Sequence, residues 1–312
     1  PDAFNANNLQ QFAADWAKQQ FGPEHATAIA GLIQGYTRHN GRRKPEAVEP
    51  GTYSIFHYNE AQRISDELAK LVATSDKVQQ QLTPKLHDAY IQLVAHPLKA
   101  SQAVYELNRA VAINQLHGAQ GRASTNYWAQ QVRFWFNRDA ELTVQYHRLG
   151  NGRWNHMMSQ PHIGFTYWRN PPANLMPVVS VAEPMAVADM GVAAEGSPLS
   201  WPISEYQGQQ LALDSFYPHG QQQRTIEVFN KGTVPFEFSA KASADWVKLS
   251  HSSGKINVEQ QIAVSVDWSK AQTGLNNAEV HIQGTGWGGA KIQLTAVKPA
   301  TTATQGFIEA DG

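Results

Sequence analysis

Leu9, Phe12, Ala13, Trp16 and Phe21 recur mostly at steps of three to five residues, so the chain opens with one apolar stripe of helical period. Gly22-Pro23 stops that helix and starts another, which carries Ile29, Leu32, Ile33 and Tyr36 on one face. The second helix is expected to end at Asn40-Gly41, two residues that tolerate a left-handed cap. After a loop over 45–52 and the segment Tyr53–Tyr58, Ile64, Leu68, Leu71 and Val72 predict a third helix, with Asp76 and Lys77 in the turn behind it. Thr83-Pro84 then opens the longest helix, through Tyr90, Val94, Leu98, Tyr105, Leu107, Val111 and Leu116 to about Gly121. Pro97 is expected to kink or split it, because the ring removes a backbone donor and crowds the preceding turn. Ser124-Thr125-Asn126 opens a last helix with Val132, Trp135, Phe136, Leu142, Tyr146 and Leu149 inward, ending at Gly150.

From Pro171 the helical period gives way to short β-rich runs separated by Pro and Gly. Ile226 and Val228 alternate with Glu227 ahead of the turn Asn230-Lys-Gly232, and Phe236-Glu-Phe238 follows as the paired strand. Trp246–Leu249, the turn His251–Gly254, the alternating run Ile262–Trp268, Val280–Ile282 and Ile292–Val297 continue the series. Residues 171–220, rich in Pro, Gly and Ser, predict irregular strands laid against the helices. The pattern is therefore multidomain, α then β: an antiparallel helical bundle over 1–150, then an immunoglobulin-like antiparallel β-sandwich over 171–300. Between them lies an aromatic and histidine junction over 151–170, and 301–312 reads as a linker toward a further domain.

The 312 residues suit two domains, and 42% hydrophobic content fills ordinary cores. A net charge of −1 removes the simplest argument for nucleic acid or an anionic membrane as partner, although a local basic patch is compatible with it, and no apolar run approaches the roughly 20 residues that span a bilayer. With no cysteine there are neither disulfides nor thiolate metal sites. Arg38, Arg42, Arg43 and Lys44 beside His39 form a candidate anion clamp, although cations near a helix C-terminus are favoured by its dipole anyway. Twelve histidines include no metalloprotease-type helical pair, so no metal is expected; His156 and His162 stand six apart in a loop. There is no Gly-x-Ser-x-Gly elbow, and Gly284–Gly289 joins two strands rather than a strand and a helix, so no phosphate cofactor is expected there and Trp287 reads as an exposed hairpin tip. The acids Asp139, Glu141, Glu183, Asp189, Glu195, Asp214 and Glu227 are scattered, so no catalytic pair emerges. The junction offers Trp154, Asn155, His156, His162, Tyr167 and Trp168 as candidate substrate-binding residues, since rings stack on sugar faces while Asn and His supply directed hydrogen bonds. The plainer reading is that Trp154, Met157, Met158, Phe165 and Trp168 glue one domain to the next.

A series of segments in order along the chain bears on this choice: Tyr36–Glu46, His57-Tyr58 with Glu60-Ala61, Gln92–Pro97, Gln120–Asn126, Gly152–Met158, His162–Trp168, Gly191-Val192 with Glu195-Gly196, and Val266-Asp-Trp268. Together they resemble glycoside hydrolase family 115, the xylan α-1,2-glucuronidases, with Trp154-Asn-His-Met-Met158 and His162-Ile-Gly-Phe-Thr-Tyr-Trp168 carrying most of the weight. Ser159 and Pro161 stand where the family pattern more often reads acidic and Thr. The resemblance implies a secreted or periplasmic, inverting, usually dimeric enzyme that removes (4-O-methyl)glucuronic acid from xylan. Its catalytic carboxylates would lie on a (β/α)8 barrel ahead of the helices. No such barrel is in these residues, so the chain is expected to be an interior portion, inactive alone, whose partner is xylan through the parent enzyme. The other expectation is a carbohydrate-binding or interaction module with no hydrolytic role.

Overall fold

The computed structural model describes residues 8–166, 169–285 and 288–300, so Tyr167, Trp168, Trp287 and the expected linker over 301–312 lie outside the described residues. Helices come first and two β-sheets follow. Two compact units divide the chain. One comprises residues 1–55, 59–115 and 126–180; the other comprises 56–58, 116–125 and 181–312. Residues 151–170 thus lie inside the first unit, whereas two short pieces of the helical half belong to the second.

In the first unit, α1 (Leu9–Phe21), α2 (Ala26–Arg42) and α3 (Glu60–Gln81) pack in succession. Ala17, Phe21, Ile29, Leu32, Ile64, Leu68 and Val78 form their common core. α2 runs past the expected stop, through Asn40 and Gly41 to Arg42. Asn40 donates its amide to Ser101 Oγ at 3.0 Å and His39 is buried against Glu67 at 3.3 Å, so polar side chains extend the packed face beyond the last apolar one. Two cations of the candidate anion clamp have protein partners: Arg42 approaches Glu67 at 4.0 Å and Arg43 donates to Ala47 O. α3 likewise outruns its apolar pattern. Ser75, fully buried, bonds the Tyr90 hydroxyl at 3.0 Å, Asp76 pairs with Lys99 at 2.6 Å, and Val78 and Leu82 resume the stripe. Burial pushes the Tyr90 phenol up to about 12.

The long helix is split as Pro97 requires. α4 (Pro84–Tyr90) passes into a π-turn (Ile91–Ala95), where the His96 N–H reaches back to Ile91 O, before α5 (His96–Ala119). The wider turn accommodates a proline ring that an α-helical ladder would not. α6 (Thr125–Gly152) ends in left-handed Gly150 and Asn151, and its inward Val132 packs with Leu107, Ala110, Val111 and Ile163.

In the second unit, β1 (Met190–Ala194), β2 (Ser200–Trp201), β4 (Gln223–Asn230), β6 (Val247–Leu249) and β8 (Glu259–Val266) form one sheet, in the order β2-β1-β4-β8-β6. β3 (Leu211–Ala212), β5 (Phe236–Ala242), β7 (Ser253–Ile256), β9 (Gly274–Gln283) and β10 (Gly289–Lys298) form the other, in the order β3-β10-β9-β5-β7. Every pairing is antiparallel except β3 with β10. The short strands β1, β2 and β3 from the Pro- and Gly-rich region are thus integral to the sheets. Even-numbered residues alternate inward along β4, β9 and β10: Ile226 and Val228, Val280 and Ile282, Ile292 and Leu294 share one core with Ile262, Val264, Phe236 and Phe238.

Phe229, odd-numbered, lies on the other face of β4 opposite Gly191 and is nonetheless fully buried. A Cβ on Gly191 would stand 2.2 Å from its ring. Gly191→Ala is therefore expected to destabilise the β unit by about 1–3 kcal/mol, the usual cost of overpacking, as read by urea unfolding. Unchanged stability would mean the ring is free to move aside.

Candidate functional site

α6 places Asp139 seven residues after Val132 and three before Leu142, on its inward stripe. Asp139 is 3% exposed. A charge there needs a partner, and His162 supplies one, its Nε2 standing 2.9 Å from Asp139 Oδ1. The other ring nitrogen, Nδ1, lies 3.0 Å from Gln160 O. Both neighbours are acceptors, an arrangement that favours the doubly protonated ring. The bond to Asp139 first, against the opposing effect of burial, raises the His162 pKa. The loop is clamped again where Asn174 Oδ1 accepts from the backbone N–H groups of His162 and Ile163.

Three further histidines stand nearby. Burial lowers the pKa of His96, and the attraction of Asp139 offsets only part of this; its ring lies 4.7 Å from Tyr146. His147 Nε2 accepts from the Met158 N–H, which leaves its proton on Nδ1. Its ring is 6.1 Å from that of His156, which has positive φ. Asp139 Oδ2 is buried without a hydrogen-bond partner.

Of the sequence candidates, His162 meets Asp139 and His156 meets His147. Asn155, exposed, turns its Oδ1 onto the His156 N–H, and Trp154 is half-buried. Tyr167 and Trp168 lie outside the described residues, so no paired ring platform is formed by what is described. The chemistry open to this cluster is narrow. In nucleophilic catalysis a histidine oriented by a carboxylate keeps its second nitrogen free to take a proton, whereas His162 spends that nitrogen on Gln160 O. Among the described residues no three His, Asp or Glu side chains converge to hold a metal ion.

His162 can be tested directly. Its pKa is raised above the unfolded value of 6.5, so its contribution to stability is full below that value and is lost as pH rises through its folded pKa. NMR titration is expected to find His162 above 6.5, and Asp139→Asn to bring it down with a loss of about 1–3 kcal/mol, the worth of a charge-assisted bond. A His162 midpoint unmoved by Asp139→Asn would refute the pairing.

A second polar cluster, in the β unit, draws on segments singled out in the sequence. Arg122 is 1% exposed. Its guanidinium stacks 4.1 Å above the Phe229 ring and reaches Glu227 at 2.6 Å, Glu259 at 3.2 Å and Gln120 Oε1 at 2.7 Å. Ser124 Oγ donates to Glu259 and meets His117 Nδ1 at 2.8 Å, and the Ala123 N–H bonds Asn230 O. Residues 116–125 are thus a clasp over the outer face of β4 and β8. Asn230, 0% exposed, closes the adjoining turn by accepting from the Gly232 N–H and donating to Val234 O. Elsewhere in the unit, Asp214 approaches Arg224 at 3.3 Å and His57 at 3.6 Å beside left-handed Gly196, while Glu195 accepts from the Thr225 N–H. Gln120, Arg122, Ser124, His57, Glu195 and Gly196 all come from the quoted segments, and here they join loops to strands.

The family model that matches is Glycosyl hydrolase family 115, over residues 1–47. The match spans α1 and α2 and shows that residues 1–47 are similar to that family. A solved family 115 4-O-methyl-α-glucuronidase with specificity for decorated arabinogalactans is 15% identical, over 91% of this chain and 41% of that one, with a TM-score of 0.41. The chain thus spans less than half the length of that enzyme. A Bacteroides ovatus family 5 xyloglucanase is 22% identical, over 32% of this chain and 19% of its own, with a TM-score of 0.24. The periplasmic chaperone SfaE is 11% identical over 31% of this chain and 58% of its own, with a TM-score of 0.25. No curated protein matches the sequence.

Proposed function

We propose that this chain is the non-catalytic helical and β-sandwich portion of a family 115 glycoside hydrolase that removes (4-O-methyl)glucuronic acid from xylan with inversion. On this reading residues 1–150 are an antiparallel bundle, 151–170 a junction, and 171–300 an immunoglobulin-like sandwich. The parent enzyme is a secreted or periplasmic homodimer that meets xylan. The observation that supports the non-catalytic role is the fate of the buried acids. Among the described residues the buried carboxylates are Glu106 and Asp139. Glu106 accepts from Ser65 and Arg109, and Asp139 from His162. A glycosidase acid must instead face a sugar with its proton available.

Incubation of the folded chain with glucuronoxylan is expected to release no glucuronic acid; release at enzyme-like rates would overturn the reading. The dimer is checked by light scattering, which should give twice the chain mass, and a monomer at micromolar concentration would refute it.

A further inference from the structure

The outer face of the second sheet carries a cavity of about 280 Å³, close to the lower bound of roughly 300 Å³ for small-ligand sites. Its floor is built by register. Lys291 on β10 lies opposite His281 on β9, and Gln293 opposite Glu279, so these odd-numbered side chains share the face turned from the core. Its wall is the segment Trp201–Gln210, which contributes Glu205, Gln209 and Gln210. α7 (Ile203–Tyr206) sits within that wall.

The lining is held in place. Trp201 Nε1 donates to Glu205 Oε2 at 2.6 Å, His281 Nε2 meets Glu279 Oε2 at 2.8 Å, and Gln293 donates to Gln210 Oε1. These bonds engage Oε2 of Glu205, Oε2 of Glu279, Oε1 of Gln210 and Nε2 of Gln293, and leave the other polar atom of each carboxylate or amide to turn toward a ligand. Carboxylate and amide planes fixed at one cavity, with an ammonium beside them, offer both donors and acceptors, which is what vicinal hydroxyls require. Two carboxylates against one lysine disfavour an anionic ligand.

We propose that this cavity is a binding site for one neutral pyranose unit of a glycan chain, read by Gln293, Gln210, Glu279 and Lys291. The choice of a glycan rests on the function proposed above; the cavity and its polar lining do not. The site is a holding site, not a reacting one.

Titration calorimetry of the whole chain with xylotriose, free glucuronic acid and glucosamine tests this. Saturable binding of xylotriose is expected, weakened about tenfold by Gln293→Ala and by Lys291→Ala, with unchanged melting temperatures showing that both variants fold. Absence of xylotriose binding, or an affinity in both variants unchanged from the parent chain, would overturn the site. Tighter binding of glucuronic acid would overturn its neutral selectivity, and tighter binding of glucosamine would reassign it to a cationic sugar. A chain that binds nothing and hydrolyses nothing refutes this inference alone. A chain that hydrolyses glucuronoxylan refutes the function proposed above.

Discussion

Arg122→Ala is expected to lower the unfolding free energy of the β unit by about 2–4 kcal/mol. Removing one partner of a buried ion pair costs roughly 3–5 kcal/mol because the other charge is stranded. Here the loss is moderated, since the side chains of Glu227 and Glu259 remain 32% and 37% exposed and can recruit water. Lost stacking on Phe229 adds to the cost. Arg122→Lys retains the charge but cannot span two carboxylates, Gln120 and a ring at once, so an intermediate loss is expected. Urea unfolding measures both variants. An alanine variant as stable as the parent chain would mean that the clasp over 116–125 contributes nothing to the sheet beneath it.

The same cluster makes the β unit sensitive to acid. Burial first, then the neighbouring Arg122 guanidinium, pushes His117 down to about 3 from 6.5. A histidine with a depressed folded pKa is uncharged in the native state while the unfolded chain takes up a proton below pH 6.5. Stability is therefore full above 6.5 and falls as pH drops from 6.5 toward 3, by up to about 1.4 kcal/mol per pH unit, or about 2 kcal/mol at pH 5. His162 acts in the opposite direction, its contribution being lost as pH rises. Urea unfolding at pH 7 and pH 5 measures the effect, and His117→Gln should flatten the difference. Arg122→Ala should raise the His117 midpoint, because one of the two causes of its depression is gone. A His117 that titrates by NMR near 6.5 in the intact chain would contradict this account.

The helical and strand periods were legible because an apolar stripe of period 3.6 or 2 is a direct record of which face is buried. Pro97 announced the break that Ile91–Ala95 accommodates. What escaped was structure carried by polar side chains. α2 and α3 run on through Asn40, His39 and Ser75, whose burial depends on partners 15 or more residues away, Ser101, Glu67 and Tyr90. Asp139 looked like one of many scattered acids, yet its place on the stripe between Val132 and Leu142 was a signal that it must be paired. Arg122 stood in a quoted segment, but nothing local reveals that Glu227 and Glu259, more than 100 residues on, converge on it. The candidate site was legible in part: His156 and His162 do fall in one histidine cluster, and His96 on α5 stood in the quoted segment Gln92–Pro97, while His147 on α6 carried no sequence signal of its own.

The claim that this chain supports a sugar without cutting it is tested most directly where two acids face one cavity, Glu205 and Glu279. Free glucuronic acid released from glucuronoxylan should be measured for the native chain and for the Glu205→Gln, Glu279→Gln double variant, with matched far-UV spectra. The account predicts no release from either. Release by the native chain that the double variant abolishes would place the bond-breaking groups in this pocket and contradict it.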